Sequence, residues 1–239
     1  MMLKLDPHVH TRFSDGSIFY GGLIADLKYL VKRDKITAFA VTDHNTTRGL
    51  KYVKRACDVL GLPFIPGIEI SAKEGHLVAY GIDDWKKGAY QLTVDEVIDA
   101  CKAANAVVVV AHPMNKRMGI KALMFEPRVY NRVDGFEYYN GATPTNAINL
   151  VKHGIEPLRG LCRYAGSDCH SHVLFCKFYV LVDAPSTRLG DILEAMRDRR
   201  KVTAVGPVMD LPHWVADFPP AFTKRRVIKR LEGRGKEKD

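Results

Sequence analysis

Most of the histidine- and carboxylate-bearing fragments of this chain follow a run of apolar residues that reads as a β-strand. That placement narrows the fold more than any other feature, because α/β proteins gather their sites where parallel strands end. Two fragments frame the pattern, His8-Val9-His10 near the start and Asp168-Cys169-His170 far down the chain. In a strand, residues i and i+2 share a face, so each fragment would aim a pair of metal-binding side chains the same way. Between them lie Thr42-Asp43-His44-Asn45, Pro66-Gly67-Ile68-Glu69-Ile70-Ser71, Gly75-His76 and Ala111-His112-Pro113. A lone histidine is usually structural, but nine ligand-grade residues placed this way point to a multinuclear metal centre. They are His8, His10, Asp15, His44, Glu69, His76, His112, Asp168 and His170.

The strand-like runs alternate with amphipathic stretches. Leu3 to Val9 predicts a strand and Gly22 to Lys32 a helix, with Leu23, Leu27, Leu30 and Val31 at helical spacing. Ile36 to Thr42 reads as a strand, Thr47 to Leu60 as a helix stopped by Gly61 and Pro63, and Phe64 to Ile70 and Leu77 to Tyr80 as strands. A helix near Val94 to Ala104 leads into Val107 to Val110, a four-valine run suited to a buried strand. Strands at Val133 to Tyr139, Arg163 to Gly166, Lys177 to Val182 and Val202 to Val205 follow, with helices near Asn146 to His153 and Leu189 to Arg199. Repeated βα units imply a parallel sheet with right-handed crossovers, and about seven of them could close into a barrel. Every proposed ligand except Asp15 and His76 then falls at or just after a strand's carboxyl end.

A chain of 239 residues with 46% hydrophobic content suits one α/β domain. We expect that domain over residues 1–215 and a basic tail over residues 216–239. No apolar stretch approaches the ~20 residues of a membrane span, and the start lacks the apolar region of a signal peptide, so a cytoplasmic protein without membrane partners is expected. The five cysteines contain no Cys-x-x-Cys pair, which suits reduced thiols better than disulfides or a zinc ribbon. Cys169 lies between two proposed ligands, and strand alternation would turn it away from them. Five of the nine net positive charges lie between Lys224 and Asp239. Such a tail suits contact with nucleic acid or another polyanion, and equally a solvated terminus.

In its motifs the chain resembles the polymerase and histidinol phosphatase (PHP) superfamily. The resemblance rests on His8-Val9-His10-Thr11 with Ser14-Asp15-Gly16, Thr42-Asp43-His44-Asn45, Gly67-Ile68-Glu69-Ile70-Ser71, Gly75-His76-Leu77, Ala111-His112-Pro113 and Gly166-Ser167-Asp168-Cys169-His170, all in order across about residues 3 to 210. It implies a distorted (β/α)7 TIM-like barrel holding two or three divalent cations, usually zinc, manganese or iron. By motif correspondence His8, His10, Glu69 and Asp168 would hold a first metal. Glu69 would bridge to a second, held also by His76 and His112, and Asp15, His44 and His170 would hold a third.

The mixed imidazole and carboxylate set independently suits borderline transition metals and argues against calcium. Three divalent ions would outweigh their ligating carboxylates by about three charges, a surplus suited to a phosphate. The expected activity is therefore hydrolysis of a phosphomonoester, a small metabolite or a nucleotide, by metal-activated water. Asp15, Glu69 and Asp168 would serve catalysis by holding metal, with no separate protein nucleophile. Arg12, Arg48, Lys116 and Arg117 are candidates to orient the phosphate, and each also reads as a solvated surface charge. Asp43 is a candidate either to fix an imidazole or to satisfy a local turn. His153 and His172 fit no ligand slot, and His213 lies beyond the matched region. Two alternatives stand beside this reading. One is a 5′-3′ exonuclease that trims oligonucleotides, and the other is a non-catalytic RNA-binding subunit resembling the PHP-fold protein of RNase P.

Overall fold

Strand β1 (Met2–Leu5) buries Leu3 and Leu5 completely and leaves Met2 exposed, the alternation of a strand with one face in a core. The computed structural model describes residues 1–19 and 21–206, which fall within one compact unit, Met1–Gly206. The expected basic tail and His213 lie outside the described residues. Helix α1 (Leu23–Asp34) buries Leu27 and Leu30 and ends on Lys35 in a left-handed conformation. It is followed by β2 (Phe39–Val41), α2 (Leu50–Val59), β3 (Phe64–Ala72), β4 (Gly75–Tyr80), α3 (Val94–Ala103) and β5 (Val107–Val110). The second half comprises α4 (Pro127–Tyr130), β6 (Gly135–Asn140), α5 (Asn146–Lys152), β7 (Cys162–Gly166), β8 (Tyr179–Asp183), α6 (Leu189–Arg197) and β9 (Val202–Val205). Periodicity located these elements to within a few residues, and missed the single-turn α4 and the short 3-10 turns Leu123–Phe125 and Glu156–Leu158.

The strands form two sheets. A six-stranded sheet runs in chain order from β2 to β7, and a three-stranded sheet has the order β1-β8-β9. The pairs β2–β3, β5–β6 and β6–β7 are parallel, as expected, but β4 runs antiparallel to both β3 and β5, and the smaller sheet is antiparallel throughout. The all-parallel expectation is corrected here. Only Lys73 and Glu74 separate β3 from β4, and a parallel crossover needs about a dozen residues or more. The architecture is an α/β fold with a curled six-stranded sheet.

Alternation within the strands sorts side chains into two buried layers. Val108 and Val110 pack with Ile68, Ile70, Leu77, Ala79 and helix α3 on one face. Val107 and Val109 pack on the other with Leu3, Leu5, Val78, Tyr80, Tyr164 and residues of β8 and α6. Each fully buried valine stabilises by roughly 1.5–3 kcal/mol relative to exposure, so a run of four valines fits a strand covered on both sides. The segment after β1 spans the two edges of the large sheet. His10 N–H donates to Cys169 O at 3.0 Å beyond β7, and Thr42 N–H donates to Val9 O at 3.0 Å beyond β2. This stitch brings the start of the chain to the strand ends where the other motifs lie.

Candidate metal centre

Glu69 lies within β3 on the face opposite Ile68 and Ile70, and it is fully buried. Five imidazoles converge on its carboxylate. Oε1 lies 2.8 Å from His76 Nδ1 and 2.9 Å from His112 Nε2, while Oε2 lies 3.1 Å from His8 Nε2 and 3.2 Å from His10 Nε2. His44 Nδ1 is 3.1 Å from Oε2 as well, without hydrogen-bond alignment. Burial opposes a charge on Glu69, but the surrounding histidines outweigh it and hold the carboxyl well below the usual range.

Around this carboxylate the donor atoms fall into three overlapping groups, each with its atoms within 4.8 Å of one another. They are His8, His10, Glu69 and Asp168; His44, Glu69 and His76; and His10, Asp15, His44 and His170. The first is the set that motif correspondence expected for one metal, and the third contains the expected Asp15, His44 and His170. In the second, His44 stands beside Glu69 and His76 where His112 was expected. His112 instead reaches Glu69 directly and lies 3.9 Å from Asp168 Oδ2. The ring of His10 is stacked on both His44 and His170, with centroids 4.4 and 4.3 Å away.

The exception at His76 follows from strand direction. Because β4 is antiparallel, its beginning lies beside the carboxyl ends of its neighbours, with His76 opposite Ser71 and Leu77 opposite Val110. Asp168 reaches the site by a different local device from the one expected. Strand β7 ends at Gly166, and Asp168 adopts a left-handed φ of 50°, so strand alternation does not set the spacing of Asp168 and His170. Alternation does hold at His8 and His10, whose intervening Val9 is buried in a separate apolar cluster. Cys169 is buried in that same cluster, away from the donor groups, and burial raises its thiol well above the ordinary value. Asp168 is opposed by burial, yet His8, His10 and His112 hold it well below the carboxylate range.

Whether these residues fit divalent cations can be judged from their unpaired atoms. Six buried side-chain polar atoms among the described residues have no hydrogen-bond partner, and four are imidazole nitrogens of the candidate set: His10 Nδ1, His44 Nδ1, His76 Nε2 and His112 Nδ1. Unpaired buried polar atoms cost about 1–3 kcal/mol each, so four in one cluster need a compensating partner. A cation accepting those lone pairs beside buried carboxylates is such a partner, and the donor set fits one.

Several supporting residues were not legible in the sequence. Glu137 on β6 is buried, and its Oε1 lies 2.7 Å from His8 Nδ1 while its Oε2 accepts the His112 N–H at 2.7 Å and Asn140 Nδ2 at 2.7 Å. Asp6 accepts the backbone N–H groups of His8, Ser167 and Cys176, and burial pushes its carboxyl up to about 7. Glu137 gave no local signal, because whether an acid in an apolar run faces inward depends on the elements packed around β6. Asp43 accepts from Thr11 N, Thr11 Oγ1 and Ser14 Oγ, each at 2.7 Å. It therefore anchors the loop that carries Asp15, not an imidazole.

The four basic candidates separate in space. Arg12 and Arg48 line one groove, where Arg48 Nη2 donates to Phe13 O at 3.3 Å. Lys116 and Arg117 are exposed and lie outside it. His153 is exposed, and His172 lies 3.4 Å from Asp26, so neither joins the cluster.

Similarity to known proteins agrees with this geometry. The chain resembles a two-domain protein of Bacteroides vulgatus containing a predicted PHP-like metal-dependent phosphoesterase, with a TM-score of 0.63 and 21% identity over 86% of this chain and 65% of that one. The fold is PHP-like. A lesion-specific endonuclease of Pyrococcus furiosus shares the PHP-like fold at a TM-score of 0.61 and 14% identity, over 85% of this chain and 58% of that one. By sequence, the chain is 26% identical over 178 residues to an uncharacterized protein of Methanocaldococcus jannaschii, covering 68% of this chain and 98% of that protein. It is 34% identical over 91 residues to a 3′,5′-nucleoside bisphosphate phosphatase of Chromobacterium violaceum, covering 34% of this chain but only 29% of that protein. No protein-family model matches the chain.

Proposed function

We propose that this protein is a metal-dependent phosphoesterase that hydrolyses a phosphomonoester, a small metabolite or a nucleotide. The observation that carries the reading is the set of three donor groups joined through Glu69 and His10. Two or three divalent cations of the zinc, manganese or iron class would be held there by His8, His10, Asp15, His44, Glu69, His76, His112, Asp168 and His170. Such cations, when bound, acidify water and neutralise charge on phosphoryl oxygens. The chain's own residues supply the rest. Glu137 fixes the His8 ring by its Nδ1, leaving Nε2 turned toward Glu69 and Asp168. Asp43 holds the loop that presents Asp15, and Arg12 and Arg48 offer positive charge beside the centre. The phosphatase relative supports the monoester, and the likeness to an endonuclease supports a second reading, an exonuclease that trims oligonucleotides.

One experiment tests both. Chelator-stripped protein reloaded with manganese is incubated with p-nitrophenyl phosphate and with a 5′-phosphorylated oligoribonucleotide, and products are resolved by mass spectrometry. Loss of a single terminal phosphate is expected, and stepwise loss of nucleotides would favour the exonuclease. Glu69→Gln should lower turnover by more than about 100-fold while the fold persists. His153→Ala, on an exposed residue, should not. Near-normal turnover by folded, metal-replete Glu69→Gln would overturn the assignment.

A further inference from the structure

A groove of about 1010 Å³ has walls that continue two of the loops carrying candidate ligands. Arg12 and Phe13 follow His10, and Arg48, Lys51, Tyr52 and Lys54 follow His44. The rings of Phe13 and Tyr52 are parallel to within 3° at a centroid distance of 5.5 Å. Gly49 makes that stack possible, since a Cβ there would come within 2.6 Å of Phe13 Cδ2. The Arg12 guanidinium lies 5.4 Å from the Phe13 centroid and Lys51 Nζ 4.9 Å from that of Tyr52, so each ring has a cation at its face. Lys54 pairs with Asp58 at 2.7 Å, but Arg12, Arg48 and Lys51 have no carboxylate partner among the described residues. Asp83 is the one acidic residue of the lining.

We infer that this groove receives the nucleotides next to the terminal phosphate of a single-stranded oligonucleotide, with a base on the Tyr52 ring in place of the Lys51 ammonium and backbone phosphates against Arg48 and the displaced Lys51. Charge complementarity and shape select this occupant over simpler ones. A sugar phosphate would meet the cations and leave the aromatic wall bare, whereas an apolar molecule would bury the rings and strand the cations. Unpaired nucleotides satisfy both, because every base offers a flat face and every linkage a negative charge. In a duplex those faces are already stacked on one another. The volume lies at the upper end of the roughly 300–1,000 Å³ of small-molecule sites, which leaves room for more than one nucleotide. The inference rests on the phosphoesterase reading only for where the terminal phosphate goes.

The groove can be read independently of catalysis. Metal-stripped full-length protein is irradiated with a 5′-phosphorylated trinucleotide carrying 5-iodouridine at its second position, and adducts are mapped by mass spectrometry. Adducts on Phe13 or Tyr52 are expected, and their absence from both residues overturns the inference. In a second arm, Tyr52→Ala combined with Lys51→Ala is reloaded with manganese. Its kcat/KM for the trinucleotide relative to p-nitrophenyl phosphate should fall about tenfold. Tyr29→Ala, an exposed tyrosine on α1 outside the groove lining, should leave the ratio in place. An unchanged ratio in the double variant also overturns the inference. Adducts in the groove without hydrolysis of either substrate would sink the phosphoesterase reading and keep the groove. Hydrolysis of p-nitrophenyl phosphate with no groove adducts would do the reverse.

Discussion

Glu137 ties together two histidines from distant parts of the chain, taking the ring of His8 on one oxygen and the backbone N–H of His112 on the other. In Glu137→Gln the amide nitrogen cannot accept, so at least one of those donors, or Asn140 Nδ2, loses its partner. The expected result is a 10- to 100-fold (order-of-magnitude) weaker hold on metal, measured by competition against a chelating dye, with far-ultraviolet circular dichroism unchanged. Undiminished metal affinity would reduce Glu137 to a packing role. The contrast with the ligands explains what was legible at this scale. His8 and His10 announce themselves because two imidazoles at strand spacing are unusual, whereas Glu137, one of two acids within Val133–Tyr139, looks like an ordinary solvent-facing position. Its inward direction depends on the partners that surround β6, which local sequence does not specify. Asp168 was singled out as a candidate ligand for the same motif reason, but its left-handed backbone was not legible.

Strand and helix positions were readable because periodicity is local, but strand direction depends on the connection. The antiparallel β4 could have been read from the two-residue link between β3 and β4. That link also serves the next element. Glu74 in the turn accepts the Val94 N–H at 2.8 Å, at the start of α3, and Thr93 forms a capping box with Glu96 there. Thr93 Oγ1 accepts the Glu96 N–H at 3.3 Å while Glu96 Oε2 accepts the Thr93 N–H at 2.8 Å. Thr93→Ala removes one acceptor and should destabilise the protein by about 1 kcal/mol. In urea denaturation the midpoint should fall with no change in slope. A change in slope instead would mean that α3 does not unfold with the rest. The helix packs on the face of β3–β5 opposite Glu69, so metal content should be unaffected.

Across the whole molecule the cysteines report on the three apolar clusters at once. Cys101 lies in the cluster under α3, Cys162 in the one between the sheets, and Cys57, Cys169 and Cys176 in the one beneath α1 and α2. All five are free and buried. Burial pushes the thiols of Cys57, Cys101 and Cys162 up to about 12, and those of Cys169 and Cys176 well above the ordinary value of 9.0. Folded protein at pH 8 should therefore react negligibly with a disulfide reagent, because the attacking species is the thiolate. Urea should expose all five together if unfolding is cooperative. Unfolded thiols ionise near their ordinary value while the folded ones stay protonated, so above about pH 9 the unfolded chain binds fewer protons. Stability is then fully present below that pH and declines as pH rises toward about 12. The buried phenols of Tyr80 and Tyr164, raised above 10.0 by burial, add a decline of the same sign. Urea midpoints measured from pH 7 to pH 11 should fall steadily above pH 9, and replacing Cys101 by alanine should flatten the curve. A midpoint independent of pH across that range would mean that the thiols are solvated in the folded protein and the three clusters are not closed.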